Sequence, residues 1–281
     1  MKLIAVGDNV TDCYLNEGVF YPGGCCINVA VNSKRDGAEE VGYLGVFGND
    51  VNALHIQDCL DKEGVDHSMC RTVMIQSSKP GVNIDVDGDR IFVEGPKRTC
   101  QWLLRLQLRR DDLEYIRKYD IIHTCCFSSI EPELPNLAEC GEVAYDFSER
   151  RDEEYLRQVC PYLTYAFFSG SDMTEDEVTS LQAFCHSLGV KIVGITRGGE
   201  GAVFSENGTV YRQGITPTEV VDTMGAGDSF IAGFLTHYGD HHDMAAALAF
   251  ASERAAFTCT QHGGFGYPHP FVEEWPGYDG N

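Results

Sequence analysis

The stretch VDTMGAGDSF, from Val221 to Phe230, is the part of the chain that most strongly predicts its fold and chemistry. Gly225 and Gly227 allow a tight backbone turn and leave no Cβ in the path of a ligand. The first amides of the helix that follows have no partner within the helix and lie at the positive end of its dipole, so they form a site for an anion. The apolar face of that helix is formed at helical spacing by Phe230, Ile231, Phe234 and Leu235.

A carboxylate, Asp228, stands directly beside these amides. Phosphoryl transfer to an alcohol needs donors that stabilise charge on the moving phosphoryl group and a base near the attacking hydroxyl. The segment therefore indicates a phosphotransferase site. A helix-capping aspartate after a glycine turn is the alternative explanation, and the two glycines alone would favour it.

Composition limits the classes of protein that this chain can belong to. With 281 residues and 43% hydrophobic residues, it fits one large α/β domain spanning residues 1–281. The formal net charge of −22 argues against nucleic-acid and membrane partners, because both need clustered Lys and Arg. A nucleotide site on such a chain needs local positive potential from amides, a helix terminus or a metal.

The twelve cysteines do not indicate a metal or redox centre. No two of them have the Cys-x-x-Cys spacing of zinc or thioredoxin sites. The opening run from Lys2 to Val6 is too short for a signal-peptide core and is typical of a strand. These features predict reduced, mostly buried thiols in a cytoplasmic protein without a membrane span.

Hydrophobic patterning predicts strands alternating with helices along most of the chain, which favours a mostly parallel sheet between helical layers. Residues 72–94 differ, because apolar and polar residues alternate there around Asp87-Gly88-Asp89, as in a hairpin. We expect a small antiparallel lid formed by residues at about 12–22 and 72–95. The sequence lacks a P-loop, a nicotinamide-binding glycine motif after the first strand and a Gly-x-Ser-x-Gly elbow.

The segment Asp222–Asp228 resembles the Asp-Thr-x-Gly-Ala-Gly-Asp signature of the ribokinase-like, or PfkB, carbohydrate kinases. Three further elements of that family occur in the family's order. They are Gly-Gly-x-x-x-Asn-x-Ala at 23–30, Gly-x-x-Gly-x-Asp at 45–50 and Thr-x-Gly-x-x-Gly at 196–201. The resemblance implies a ribokinase-like three-layer αβα sandwich with a mostly parallel central sheet and a small antiparallel β lid.

The resemblance also implies roles for individual residues. Asp228 is expected to be the catalytic base, and the amides of Gly225, Ala226 and Gly227 are expected to form the anion hole. Asp12, Gly24 and Asn28 are expected to hold sugar hydroxyls. The nucleotide is expected beside Thr196, Gly199 and Gly201, with the last two helices next to adenine.

The implied cofactors are ATP and Mg²⁺, with K⁺ as an activating cation at Asp222. Many relatives carry Asn-x-x-Glu at the end of a central strand, where it organises magnesium through water. The matching stretch here is Phe168-Ser169-Gly170-Ser171-Asp172, so Asp172 is the candidate for that role. The lid often builds a dimer in this family, and a homodimer through the lid is therefore expected.

Within the family, the opening Gly7-Asp8-Asn9, the strand end Asp146-Phe147-Ser148 and the tail Gln261–Gly264 resemble the fructoselysine 6-kinases. This implies transfer of the ATP γ-phosphoryl group to the 6-hydroxyl of fructoselysine or a related fructosamine. Asp8 either pairs with the protonated substrate amine or is a turn residue. Candidates for the substrate carboxylate are Arg90, Lys97 and Arg98. The alternatives are a kinase for fructose, ribose or a nucleoside, and a non-catalytic sugar- or nucleotide-binding relative.

Overall fold

The computed structural model of the protein describes residues 1–84, 90–93 and 95–271. Fourteen strands are found in these residues. In chain order they are β1 (Lys2–Gly7), β2 (Val10–Tyr14), β3 (Val19–Gly23), β4 (Glu40–Phe47), β5 (Arg71–Thr72), β6 (Gly81–Ile84), β7 (Arg90–Val93), β8 (Ile121–Cys125), β9 (Glu142–Asp146), β10 (Tyr165–Ser169), β11 (Ile192–Thr196), β12 (Ala202–Glu206), β13 (Thr209–Gln213) and β14 (His269–Pro270).

The α-helices in the described part of the chain connect and cover these strands. In chain order they are α1 (Cys25–Arg35), α2 (Val51–Glu63), α3 (Cys100–Leu103), α4 (Arg110–Ile116), α5 (Leu134–Ala138), α6 (Glu153–Val159), α7 (Glu175–Ser187), α8 (Ala226–His241) and α9 (Met244–Thr258). None of the helices in residues 1–84, 90–93 and 95–271 combines the length and the apolar character that crossing a bilayer requires.

Nine strands form the central sheet in the order β13-β12-β11-β10-β9-β8-β1-β4-β5. All neighbouring pairs from β11 to β5 are parallel, and the hairpin of β12 and β13 adds an antiparallel edge. The hairpin of β12 and β13 turns at Asn207-Gly208. After it, the amides of Val221 and Asp222 both donate to the carbonyl of Cys259.

Side chains of the central sheet alternate between two separate cores, since successive residues of a strand point to opposite faces. In β1, Leu3 and Ala5 join the core covered by α1, α2, α8 and α9. Ile4 and Val6 join the core covered by α4 to α7. Two helical layers on one mostly parallel sheet confirm the three-layer αβα sandwich.

A smaller sheet of five strands forms in the order β14-β3-β2-β6-β7. It matches the expected lid with three differences. The pair β2 and β6 is parallel. The tail contributes β14, and β5 belongs to the central sheet. The expected turn at Asp87-Gly88-Asp89 lies outside the described residues.

The amino ends of the helices differ in whether a side chain caps their first amides. The first amides of α2, α7 and α9 receive side-chain caps from Asp50, Thr174 and Asp243. Helix α8 begins instead after Gly225, which has a φ of 72° and no side chain to cap it. The first amides of this helix are therefore available to bind a ligand.

The twelve cysteines form no disulfide bonds, as expected from the sequence.

Candidate active site

The amino end of α8 shares a cavity with the carboxyl ends of β9, β10 and β11, where open α/β sheets bind ligands. Asn28 of α1 donates a hydrogen bond of 2.8 Å from Nδ2 to Asp228 Oδ2. A cavity of about 150 Å³ opens onto Asp228 and is shared by Cys25, Asp146 and Gly227. The structure thus brings two predicted site residues, Asn28 and Asp228, into direct contact.

Asp228 lies in a strongly perturbed environment. Burial raises the pKa of Asp228 well above its usual range, and the neighbouring Asp146 carboxylate raises it further, against the hydrogen bond from Asn28. Burial likewise raises the pKa of Asp146 to about 7. A carboxyl with a raised pKa is a stronger proton acceptor once ionised, so the arrangement suits a general base.

Asp146, at the end of β9, was not predicted as a site residue. One ligand atom each of Cys25, Asp146 and Asp228 lie within 4.8 Å of one another. A polar residue that ends a buried parallel strand was the signal available, because such ends converge at one edge of the sheet. Two close carboxylates offer oxygen ligands of the kind that Mg²⁺ takes.

The predicted anion hole of Gly225, Ala226 and Gly227 needs a correction at Ala226, whose amide is already hydrogen-bonded. A Cβ on Gly225 would lie 2.5 Å from the Cα of Gly264, so the turn requires glycine there. The amide of Ala226 donates to Thr223 O at 3.2 Å. Among the described residues, the amides of Gly227 and Asp228 have no hydrogen-bond partner. They are therefore free to bind an anion.

A second cavity, of about 350 Å³, lies on the other side of Gly227. It brings together all three residues predicted for the nucleotide, Thr196, Gly199 and Gly201. Ala255 and Ala256 of α9 form one wall of the cavity, in agreement with the expectation that the last two helices lie next to adenine. The apolar wall that the sequence did not single out is formed by Ile215, Val220 and Phe230.

Asp8 has a structural role that the sequence left as one of two alternatives. Its carboxylate accepts hydrogen bonds from the amides of Cys25 at 3.0 Å and Cys26 at 3.1 Å, and the residue is 6% exposed. It therefore holds the start of α1, where it satisfies the amides and complements the dipole. Asp8 also lines a small cleft with Gly7 and Ser128, and its contact with the substrate amine stays a prediction.

Asp12 and Gly24 lie on either side of the turn that leads into α1. The Asp12 carboxylate is buried against Gly23, where a Cβ would come within 2.2 Å of Oδ2. Gly24 has a φ of 100°, and a Cβ there would lie 2.8 Å from Asp8 Oδ2. The structure thus places Asp12, Gly24 and Asn28 around one turn, and their contact with sugar hydroxyls stays a prediction.

Asp222 links the smaller sheet to the loop before α8 through hydrogen bonds. It accepts hydrogen bonds from the Tyr14 hydroxyl in β2, from the amide of Gly263 at 2.9 Å and from the amide of Met224 at 2.9 Å. Met224 also packs against the cluster of Tyr14, Tyr21 and Val82 in the smaller sheet. Asp222 thereby ties the smaller sheet to the loop that precedes α8.

Asp172, the candidate for organising magnesium, is exposed and held by an arginine. Arg151 donates to its two carboxylate oxygens at 2.8 and 3.2 Å and also donates to Ser169 O at 3.1 Å. The arginine neutralises the charge that would attract a cation. The geometry therefore favours Asp146 over Asp172 as a metal ligand.

Two of the three basic residues expected to meet the substrate carboxylate, Lys97 and Arg98, do not line the site cavities. Lys97 and Arg98 lie in an exposed turn after β7. The side chain of Arg90 falls outside the described residues. Neither Lys97 nor Arg98 lines a cavity beside Asp8 or Asp228.

Taken together, a ribokinase-like sandwich and a carboxylate beside free amides at a glycine-started helix define a small-molecule phosphotransferase. A profile of the family described as pfkB family carbohydrate kinase matches residues 1–268. The chain is 46% identical over 271 residues to fructosamine kinase FrlD of Bacillus subtilis (strain 168), covering 96% of this chain and 95% of that protein. The chain belongs to the PfkB family of carbohydrate kinases, and its acceptor is a sugar hydroxyl.

Two further similarities agree with this assignment. Fructoselysine 6-kinase of Escherichia coli (strain K12) is 31% identical over 265 residues, covering 94% of this chain and 99% of that protein. A protein of E. coli assigned as ribokinase II, solved in complex with ATP and Mg²⁺, superposes with a TM-score of 0.79 at 19% identity. That alignment covers 94% of each chain and establishes the shared fold.

Proposed function

We propose that this protein transfers the γ-phosphoryl group of ATP to the 6-hydroxyl of a fructosamine, with fructoselysine as the representative substrate. The observation that carries the proposal is the contact between Asn28 and Asp228 at the amino end of α8, between two cavities. The identity of 46% to a fructosamine kinase over nearly the whole chain supports the fructosamine as the acceptor.

The cavity of about 350 Å³ is proposed to bind ATP. Its apolar wall of Ile215, Val220 and the alanines of α9 suits a purine ring. Gly227 lines this cavity and also the one that contains Asp228. The phosphates would therefore pass the amino end of α8 on their way to the acceptor, where amides and the helix dipole favour them.

In the proposed reaction, Asp228 accepts the proton of the 6-hydroxyl as its oxygen attacks the γ-phosphorus. The bond from the γ-phosphorus to the bridging oxygen breaks, and ADP leaves with that electron pair. The free amides of Gly227 and Asp228, at the amino end of α8, stabilise charge on the transferred group. Asn28 orients the base, and Asp12, Gly24 and Asn28 hold the sugar.

A magnesium ion fits the carboxylates present. Burial raises the pKa values of Asp146 and Asp228, and the Asp146 carboxylate raises that of Asp228 further; a divalent cation would relieve this repulsion. Asp146 is the residue proposed to hold it, together with the phosphates of ATP. Mg²⁺ would neutralise developing phosphate charge there. K⁺ near Asp222 remains part of the proposal as an activating cation.

A homodimer through the smaller sheet is also proposed. β7 lies at the end of this sheet, and an edge strand can pair with a second chain. Light scattering coupled to size exclusion would give the mass in solution. A monomer at assay concentrations would contradict the dimer without affecting the kinase proposal.

The test is ADP formation from Mg-ATP with fructoselysine, other fructosyl amino acids, fructose, ribose and adenosine. Selective turnover of a glycated amino acid is expected, and phosphorus NMR of the product should place the phosphate on the 6-oxygen. Turnover confined to a free sugar or a nucleoside would refute the fructosamine and keep the family. Asp228→Asn supplies the background rate for each acceptor.

A further inference from the structure

A cavity of about 300 Å³ lined by Arg71, Arg105 and Arg109 lies near the carboxyl edge of the central sheet. We call it the arginine pocket. Resting on the proposed fructosamine kinase activity, we propose that the arginine pocket binds the carboxylate of the amino-acid part of the substrate. The sequence alone predicts this cation in or after the lid, at a different place in the fold.

The concentration of positive charge in this pocket is unusual for the chain. Lys and Arg number 21 against 43 Asp and Glu, yet among the described residues no carboxylate lines the pocket. Asp112, which does not line the pocket, forms an ion pair with Arg71, so the charge of one of the three arginines is compensated. Two guanidinium groups, those of Arg105 and Arg109, remain to attract an anion.

Arg71 is built into the wall of the pocket. It lies in β5, which pairs with β4 in parallel so that Arg71 stands opposite Val46. Its Nη2 is held by Asp112, whereas Nη1 is buried and makes no hydrogen bond with any described residue. A buried guanidinium nitrogen without an acceptor is costly, and a substrate carboxylate would supply the acceptor.

A narrow cleft of about 20 Å³ lies between the arginine pocket and the catalytic site. The cleft is lined by Gly7, Asp8 and Ser128, and it shares Leu104, Leu106 and Val46 with the arginine pocket. At its other end, Asp8 contacts Cys25, which lines the Asp228 cavity. The arginine pocket, the cleft and the Asp228 cavity therefore lie in a row along the strand ends, and the proposed path of the substrate follows this row.

The lining of this path matches a glycated amino acid. Apolar Leu104, Leu106 and Val46 suit the methylene groups of a lysyl side chain, and guanidinium groups bind carboxylates through paired hydrogen bonds. Because the whole protein carries a net charge of −22, the carboxylate group of the substrate needs such a local positive site. The pocket would thus select glycated amino acids over free sugars and over glycated amines without a carboxylate.

The test compares two proteins. One is a double variant that carries both Arg105→Gln and Arg109→Gln, and the other is the single variant Arg110→Gln. Arg110 is exposed, pairs with Glu114 and does not line the pocket, so it is the matched control. Arg71 is left intact because its pair with Asp112 contributes to folding. Each protein is assayed with fructoselysine and with a fructosylated alkylamine of equal length that lacks the carboxylate, after thermal melting has verified the fold.

We expect the double variant to raise KM for fructoselysine about ten- to a hundredfold with kcat unchanged, the range of lost hydrogen bonds to charged groups. The alkylamine should already show the raised KM with the wild type and should not respond to the variant. Unchanged KM for fructoselysine in the double variant, or equal KM for acid and amine in the wild type, overturns the pocket. If the wild type phosphorylates no fructosamine, the proposed function itself is refuted.

Discussion

Asn28 Nδ2 donates a hydrogen bond of 2.8 Å to Asp228 Oδ2, joining two sequence elements that lie 200 positions apart. The hydrogen bond orients the carboxylate and favours its ionised form, which a base requires. Burial and the Asp146 carboxylate act in the opposite direction. The proton affinity of Asp228 is therefore a balance set by Asn28 and Asp146, and both can be tested.

Replacing the base should abolish most of the catalysis without loss of binding. We expect Asp228→Asn to lower kcat by about 10²–10⁴-fold, the usual share of a general base, with near-normal KM for both substrates. Asp176→Asn, an exposed position in the first turn of α7, is the control and should keep full activity. Steady-state ADP formation measures both. A kcat within a few-fold of wild type would exclude Asp228 as the base.

The pH profile should reveal the raised pKa of the base. Asp228 cannot accept a proton when it is protonated, so kcat/KM falls as pH falls through its pKa, and this limb lies above the range of an ordinary carboxyl. Asp146→Asn removes a negative neighbour and should move the limb to lower pH. Asn28→Ala removes the donor and should move it upward. Profiles at saturating Mg²⁺ that do not move in opposite directions contradict this account.

Asp146 should also make the stability of the protein depend on pH. Its pKa is about 7 in the folded protein and 3.8 for an ordinary aspartate, as in the unfolded chain, so the folded state binds more protons between these values. The free energy of unfolding therefore falls as pH rises through this window, by up to about 4 kcal/mol from this group. Without Mg²⁺, Asp146→Asn should stabilise the protein at about pH 8 and much less at about pH 5.

Denaturant unfolding at the two pH values measures this effect, with Asp176→Asn as the control for a simple loss of charge. Added Mg²⁺ should reduce the difference between wild type and Asp146→Asn if Asp146 holds the ion. An equal gain in the free energy of unfolding at both pH values would show that the pKa of Asp146 is not raised in the folded protein.

Two glycines of the anion hole should respond differently to the same substitution. Gly225→Ala places a side chain at a φ of 72° and 2.5 Å from Gly264, so it should destabilise the fold by about 1–3 kcal/mol. Gly227→Ala meets no atom within 4 Å and should fold normally. Its methyl group points into the open site, so kcat/KM for ATP should fall about ten- to a hundredfold. Thermal melting and kinetics separate the two, and normal kinetics of Gly227→Ala would argue against phosphate at this amide.

Asp8 and Asp12 provide a test that distinguishes capping from binding. Asp8→Asn loses part of the cap on α1 and should reduce stability by about 1–2 kcal/mol with little change in KM for the sugar. Asp12→Asn should raise KM for the sugar, because the predicted role of Asp12 is to hold a sugar hydroxyl. A raised KM in Asp8→Asn without destabilisation would restore the substrate role for that residue.

Much of the architecture could be predicted from local sequence. The continuous apolar run in β1 predicts a strand, and this strand is found with both faces buried, since Leu3 and Ile4 enter different cores. A capping box of Thr174 and Glu177, three residues apart, marks the start of α7. The glycines before Asp228 predict a helix without a side-chain cap, which is also found. Each of these features depends on residues close together in the chain.

The features missed or misjudged depend on distant contacts. Asp8 caps α1 from the end of a different element, and Arg151 reaches across from another loop to hold Asp172. β14 pairs with β3 across the length of the chain, which no local pattern indicates. Such pairs have no spacing rule, so local periodicity cannot find them.

From its residues alone, then, the chain specifies a three-layer sandwich, a glycine-started helix and a carboxylate beside its free amides, because periodicity and backbone freedom act locally. Folding adds the neighbouring groups that determine the proton affinity of that carboxylate. Packing of β9, α1 and α8 brings Asp146 and Asn28 to Asp228, and pairing of β4 with β5 places Arg71 in its pocket. Proton affinity and charge selection depend on burial and neighbours, and these exist only once distant segments are packed together.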